Sequence, residues 1–281
     1  MALTRRAALS AGAALGLAGA DRRTPARIVS FNPCLDVILV RLADRRQIAA
    51  LSHYSRDPNS SNIAALAETF PVTYGTAEEV MALHADLVLI DSFTPPATQQ
   101  ALRKLGVRTA PFGAPETVDQ SLAQVLAVGE AIGRPDRSRI LAQAMAAAIA
   151  AATPPAGARR LSALVFQSNG FASAPGTLMD EMMRCAGFDN AAARYGLVRS
   201  GHVPLERLID DPPQVLLAGQ ARPGAPTWAD RVLTHPALTS IGGRMHRAVL
   251  PQRLINCGGP VLIETAFALA RARADAVAAG I

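Results

Sequence analysis

The chain has 281 residues, half of them hydrophobic, and a formal charge of +6. That length allows one large domain or two lobes of roughly 100 residues each, with a substantial core. The basic residues are almost all arginine (Lys104 is the single lysine) and lie scattered, so no stripe marks a nucleic-acid interface.

The first twenty residues, MALTRRAALSAGAALGLAGA, read as a signal peptide. Thr4-Arg5-Arg6 forms a basic start, Ala7 to Leu17 an apolar stretch, and Ala18-Gly19-Ala20 a small-residue cleavage site. The apolar stretch is too short to span a bilayer. Thr-Arg-Arg with Leu9 downstream resembles a twin-arginine export signal. Ala20 stands where a lipoprotein would carry cysteine, so a soluble, exported, periplasmic product is expected. Removal of the leader lowers the charge to about +4.

Residues 21–134 read as alternating strand and helix. Arg27 to Ser30 is a short strand, and Asn32-Pro33 opens a helix carrying Leu35, Ile38, Leu39 and Leu42. Gln47 to Leu51 is a strand, followed by a polar loop from Ser52 to Asn62. Pro71 to Thr73 is a third strand. Thr76 with Glu79 makes a capping box for a helix ending near His84. Asp86 to Ile90 is a continuous apolar run, as in a strand buried on both faces. A helix from Pro96 to Leu105 leads to a strand at Val107 to Ala110. Strands separated by single helices predict a parallel sheet.

From Thr117 to Ala152 the pattern is helical, broken once at Gly133-Arg134-Pro135. Thr117 and Gln120 predict a second capping box. Pro135 then occupies a favoured first helical position, with Asp136 in the first turn. Eighteen residues at 1.5 Å each give a rod of roughly 27 Å, enough to span a small lobe. Residues 154–281 repeat the α/β pattern. Strands are expected at Leu161 to Phe166, Gln214 to Ala218 and Arg247 to Leu250. Helices are expected at Thr177 to Ala186, Pro204 to Ile209 and from Pro260 to the end.

Familiar catalytic signatures (HExxH, GxSxG, the P-loop, GxGxxG) are absent. Of the five histidines only His53 and His202 fall in loops that could face a cleft, with Asp57 and Asp91 as acids. That is thin for a bare metal ion, so neither a metal site nor catalytic residues are assigned. Three cysteines, Cys34, Cys185 and Cys257, allow at most one bridge.

Several stretches together resemble the periplasmic substrate-binding proteins of vitamin B12 and iron–siderophore ABC importers, the helix-backbone class. They are Arg27 to Ser30 with Asn32-Pro33, EEVMALHADLVLI from Glu78, GTLMDEMMRCAGFDN from Gly176, Pro204 to Leu217, and Gly258-Gly259-Pro260. Their order and spacing cover nearly all of the chain past residue 20. The resemblance implies an α/β fold of two Rossmann-like lobes with parallel sheets. The lobes would be residues 21–134 and 154–281, joined by one long backbone helix at 135–153, with the ligand cleft between them. It implies a non-catalytic, monomeric receptor that delivers a small-molecule chelate to an ABC permease driven by a cytoplasmic ATPase. No cofactor of its own and no nucleic acid are implied. An exported heme- or metal-binding chaperone or enzyme of the same fold is the rival reading.

Residue by residue, the resemblance places ligand contacts at Asn32, Pro33 and Cys34, at Tyr54, Ser55 and Arg56, and at Ser92 and Phe93. In the second lobe it places them at Phe171, His202, Trp228 and Cys257. Aromatic faces would cover a flat or greasy ligand while Arg56 fixed a polar edge. Alternatively, Tyr54 and Trp228 are core or rim aromatics and Arg56 pairs with Asp57. Glu78 and Glu206 match the two family acids that meet permease arginines, although acids also simply favour helix N-termini. The second cysteine of the vitamin B12 receptor's bridge is replaced near Ala270, so Cys185 should be unpaired. Cys34 and Cys257 could bridge the lobes, line the pocket as thiols, or touch ligand; a bridge needs Cα atoms within about 7 Å. The thin aromatic lining favours a siderophore-like chelate over a corrinoid. A single packed rod predicts little lobe closure on binding.

Overall fold

The computed structural model describes residues 24–220, 228–241 and 243–281. The expected leader, residues 1–20, lies outside them.

The first half builds β1 (Ile28–Ser30), α1 (Pro33–Leu42), β2 (Ile48–Ser52), α2 (Ala64–Ala67), β3 (Val72–Thr73), α3 (Ala77–Ala82), β4 (Leu87–Asp91), α4 (Pro96–Lys104) and β5 (Thr109–Phe112). Its five strands form a sheet in the order β3-β2-β1-β4-β5, with every pairing parallel. Period-two alternation sorts the side chains. Ile28, Leu51, Leu87 and Leu89 enter one core cluster, while Val29, Ala50, Val88 and Ile90 enter another on the opposite face. Both faces are therefore covered, which is why β4 reads as an unbroken apolar run.

Two helices follow, α5 (Val118–Ala131) and α6 (Pro135–Ala152), then β6 (Leu161–Phe166), β7 (Phe171–Ala172), α7 (Leu178–Cys185), β8 (Phe188–Asn190) and β9 (Gly201–His202). The chain continues through α8 (Leu205–Asp210), β10 (Val215–Ala218), α9 (Trp228–Arg231), α10 (Pro236–Ser240), β11 (His246–Val249) and α11 (Val261–Ala278). The second sheet is parallel, in the order β11-β10-β6-β8. β7 and β9 pair antiparallel, Phe171 opposite His202. This is the expected α/β architecture of two lobes.

The rod α6 packs between α5 and α11. The α5–α6 approach depends on Gly129, where a Cβ would lie 2.2 Å from Ser138 Oγ. The first core cluster does not stop at the lobe boundary. It runs from Ile28 and Leu35 through Val125, Ile132, Met145 and Ile149 to Val165, Met182 and Leu269. Backbone hydrogen bonds cross with it: Val118 N donates to Glu181 (2.7 Å), and Gly259 N donates to the buried Ser121 Oγ (2.7 Å). The N-terminus of α5 thus packs at the junction, against α7 and the turn before α11, as well as against the first lobe.

Local departures from expectation have local causes. Thr76 and Glu79 form their reciprocal box. At α5 only half forms: Thr117 caps Gln120 N, but the Gln120 side chain accepts from Glu116 N. β5 starts two residues late, because Gly106 at φ +72° ends α4 and Val107 N is still bonded to Leu102 O. β8 was not anticipated. Its Asp and Asn are poor strand formers, and only Phe188 is buried in it.

Candidate functional site

The order of the first sheet reverses at β1: the chain steps from β1 to β2 and β3 on one side, then returns to β4 on the other. Ligands of open α/β sheets bind at such a switch point, beyond the carboxyl ends of the strands. The loops leaving β1 and β4 are locked together there. Asn32 Oδ1 accepts from Cys34 N (2.7 Å) and so caps α1, while its Nδ2 donates to Asp91. Asp91 also accepts from Phe93 N (3.2 Å) and Thr94 Oγ1 (2.8 Å).

These loops form one wall of a cavity of about 390 Å³ between the lobes. Asn32, Cys34, Asp91, Ser92 and Phe93 face it from β1 and β4, and Phe112 to Glu116 from the segment after β5. The opposite wall holds Phe171, Ser173 and Gly176 to Met179, with Ile255 and Asn256. Of the three arrangements open to Cys34 and Cys257, the structure shows the bridge. Their Cα atoms are 5.2 Å apart, and the disulfide both joins the lobes and lines the cavity. Cys185 is unpaired, partly buried against the core, and burial pushes its thiol pKa up.

A second hollow of about 430 Å³ adjoins the first along Asn32, Asp91 and Phe93. Tyr54 and Tyr74 line it, with Phe31 and Pro33. Phe93 is 80% exposed, Tyr74 70% and Tyr54 60%, which marks them as a lip, not a core. His53 stacks between the two tyrosines, its ring centroid 3.9 Å from Tyr54 and 4.5 Å from Tyr74. Phe31, Tyr74, Glu116 and Gln124 were not singled out from sequence. For Tyr74 the signal was available: an aromatic directly after a strand, in a chain only 4% aromatic.

The structure does not bring every expected contact to the cleft. Ser55 is fully buried, and its hydroxyl donates to Asp36 (2.6 Å). Arg56 turns to the other side of its loop, donating to Phe70 O (2.7 Å) and pairing with Glu68 (3.6 Å). Its role on a ligand's polar edge is therefore not supported by its placement. His202 lies beside Phe171, ring centroids 5.8 Å apart, and its Nδ1 is 3.0 Å from Asn169 O. A carbonyl partner requires a proton on Nδ1. Trp228 opens α9, and its side chain lies outside what the structure describes. Glu78 and Glu206 are exposed in the first turns of α3 and α8.

Asp36 is buried beneath the Tyr54 loop. It accepts from Ser52 N (2.8 Å) and Ser55, while its Oδ1 has no partner. Desolvation raises its pKa to about 7 against the opposing hydrogen bonds from Ser55 and Ser52. Among the described residues no group of three or more His, Cys, Asp or Glu side chains is placed to hold a metal ion. No helix among them is long and apolar enough to cross a membrane.

Two α/β lobes closed around a lined cleft define a solute-capturing receptor. The chain belongs to the periplasmic binding protein family, whose model matches residues 28–242. That family is made up of substrate-binding receptors. The periplasmic heme-binding protein RhuT from Roseiflexus sp. RS-1 is 25% identical, with a TM-score of 0.68 over 88% of this chain and 98% of that one. A periplasmic heme-binding protein from Pseudomonas aeruginosa is 22% identical (TM-score 0.68; 88% and 92% covered). The vitamin B12-binding protein BtuF of Vibrio cholerae is 18% identical (TM-score 0.66; 90% and 98% covered). No curated protein matches the sequence.

Proposed function

We propose that this chain is the periplasmic solute-binding component of an ABC importer. It captures a metal chelate in the inter-lobe cleft and hands it to a membrane permease. The observation that carries the reading is the cavity at the switch point of the first sheet, with aromatic and hydrogen-bonding walls from both lobes. Family membership makes such a cavity a place for solute, and the similarity to heme- and vitamin B12-binding proteins points to a chelate. In this reading residues 21–134 and 154–281 are the lobes and 135–153 the connecting rod. Asn32, Ser92, Phe93 and Phe171 hold the ligand, Tyr54 and Tyr74 cover its outer part, and Glu78 and Glu206 meet the permease. The protein turns nothing over.

The test is a thermal-shift screen of the purified protein lacking residues 1–20. It is run against ferric siderophores, corrinoids and heme, with elemental analysis of the protein as isolated. A chelate that raises the melting temperature and is recovered unchanged supports the receptor. A protein that binds a metal ion without chelator, or transforms its ligand, supports the chaperone or enzyme reading instead.

A further inference from the structure

The charge of the cleft runs against the charge of the chain. The protein carries 28 arginines and lysines against 22 acids. Yet among the described residues lining the cavity there are two carboxylates, Asp91 and Glu116, and no arginine, lysine or histidine. Bases stand near this cavity without lining it. Arg56 is bound to Phe70 O and Glu68, His202 is exposed with its ring edge-on to Phe171, and Arg199 is exposed beside Ser200.

Helix N-termini are the other common holders of anions; those of α1 and α7 line the cavity, and α5 and α11 start just beyond its lining residues Glu116 and Gly258. The α1 and α7 starts are already capped by their own side chains. At α1, Asn32 Oδ1 takes Cys34 N and Leu35 N. At α7, Thr177 Oγ1 takes Asp180 N, and Asp180 takes Gly176 N (3.0 Å). A carboxylate entering here would meet two like charges and, among the described lining residues, find no positive partner to replace its water. A neutral or cationic group would meet acceptors. Asp91 is held rigidly by Asn32, Phe93 and Thr94, and Glu116 makes no hydrogen bond or ion pair with its side chain among the described residues.

We propose that the cleft selects chelates whose buried surface is uncharged or cationic and rich in N–H donors, and rejects chelates bearing free carboxylates. This rests on the receptor reading. It names a charge class that the family fold leaves open.

The test is a calorimetric titration of the protein lacking residues 1–20 with four probes. Ferrioxamine B is a cationic ferric hydroxamate and diaquacobinamide a cationic, amide-bearing corrinoid. Hemin carries two carboxylates, and ferric citrate is anionic. At least one of the first two should bind at least about tenfold more tightly than both anionic probes, and its affinity should fall as salt rises. Glu116→Gln should weaken that probe by about fivefold and flatten the salt dependence. Which cationic probe binds distinguishes a hydroxamate from a corrinoid source. If hemin or ferric citrate binds most tightly, the charge inference fails and the receptor reading stands. If Glu116→Gln leaves affinity and salt dependence unchanged, the inference also fails. If none of the four binds, the charge inference fails, and the receptor reading is decided by the thermal-shift screen.

Discussion

Reduction of the Cys34–Cys257 bridge should cost the folded state several kcal/mol without letting the lobes part. The two cysteines are 223 residues apart in sequence, so the bridge closes a loop comprising most of the chain; loop entropy then gives an upper limit of about 5 kcal/mol. Measured bridges usually deliver about 2–4 kcal/mol, because the unfolded chain keeps some structure. The lobes should stay together because the bridge is only one of their ties. The apolar cluster from Ile28 to Leu269 is continuous through α5 and α6, and Gly259 and Val118 keep their bonds to Ser121 and Glu181. The assay is urea unfolding of the oxidised protein, the reduced protein and the Cys34→Ser/Cys257→Ser variant, with small-angle scattering at zero urea. Thiol labelling of the oxidised protein unfolded in urea should find one free cysteine, Cys185. Coincident urea midpoints for all three forms would refute the pairing. A clear rise in radius of gyration on reduction would refute the shared core as the main tie.

Asp36 should make stability depend on pH in an unusual direction. Its folded pKa, about 7, lies above the ordinary carboxyl value of 3.8. The folded state therefore holds the proton more tightly than the unfolded chain. The corresponding stability is complete below about pH 4, falls as pH rises, and is gone above about 7, a span of at most roughly 4 kcal/mol. Asp36→Asn should flatten urea midpoints across that window, and an unchanged slope would contradict the assignment. Gly129→Ala should destabilise by about 1–3 kcal/mol, because the new methyl collides with Ser138 and forces α5 off α6; a neutral result would mean the helices are not in contact there. Glu78→Arg and Glu206→Arg together should lower uptake by a reconstituted importer by about tenfold while leaving chelate affinity unchanged. Full uptake by that variant would leave the two acids as ordinary helix-end residues.

The fold was largely legible because its signals are local and agree with one another. The unbroken apolar run at Asp86 to Ile90 identified a doubly covered strand. Asn32-Pro33 and Thr76 marked true helix starts, and the Gly133–Pro135 break separated α5 from α6. The cleft was only half legible. Asn32, Ser92 and Phe93 follow strand ends, and the family resemblance placed ligand contacts in those loops. Ser55 and Arg56 follow one too, but their side chains are claimed by Asp36, Phe70 and Glu68, and no local pattern announces long-range partners of that kind. The second wall depends on how residues separated by more than eighty positions, such as Phe171 and Asn256, are brought to one face. The bridge shows the same limit. Three cysteines allow several outcomes, and only the fold brings two of them together.

The core that runs unbroken through both lobes bears on how a transporter would know that its delivery is loaded. Receptors that snap shut announce occupancy by shape. A body stiffened by a packed rod, a common core and a covalent tie has little shape to change. Under the proposed receptor function, the message would then be carried by the part of the solute left showing between Tyr54, Tyr74 and Phe93. An empty and a full receptor would differ at that window, and a partner reading the window would in effect inspect the cargo itself.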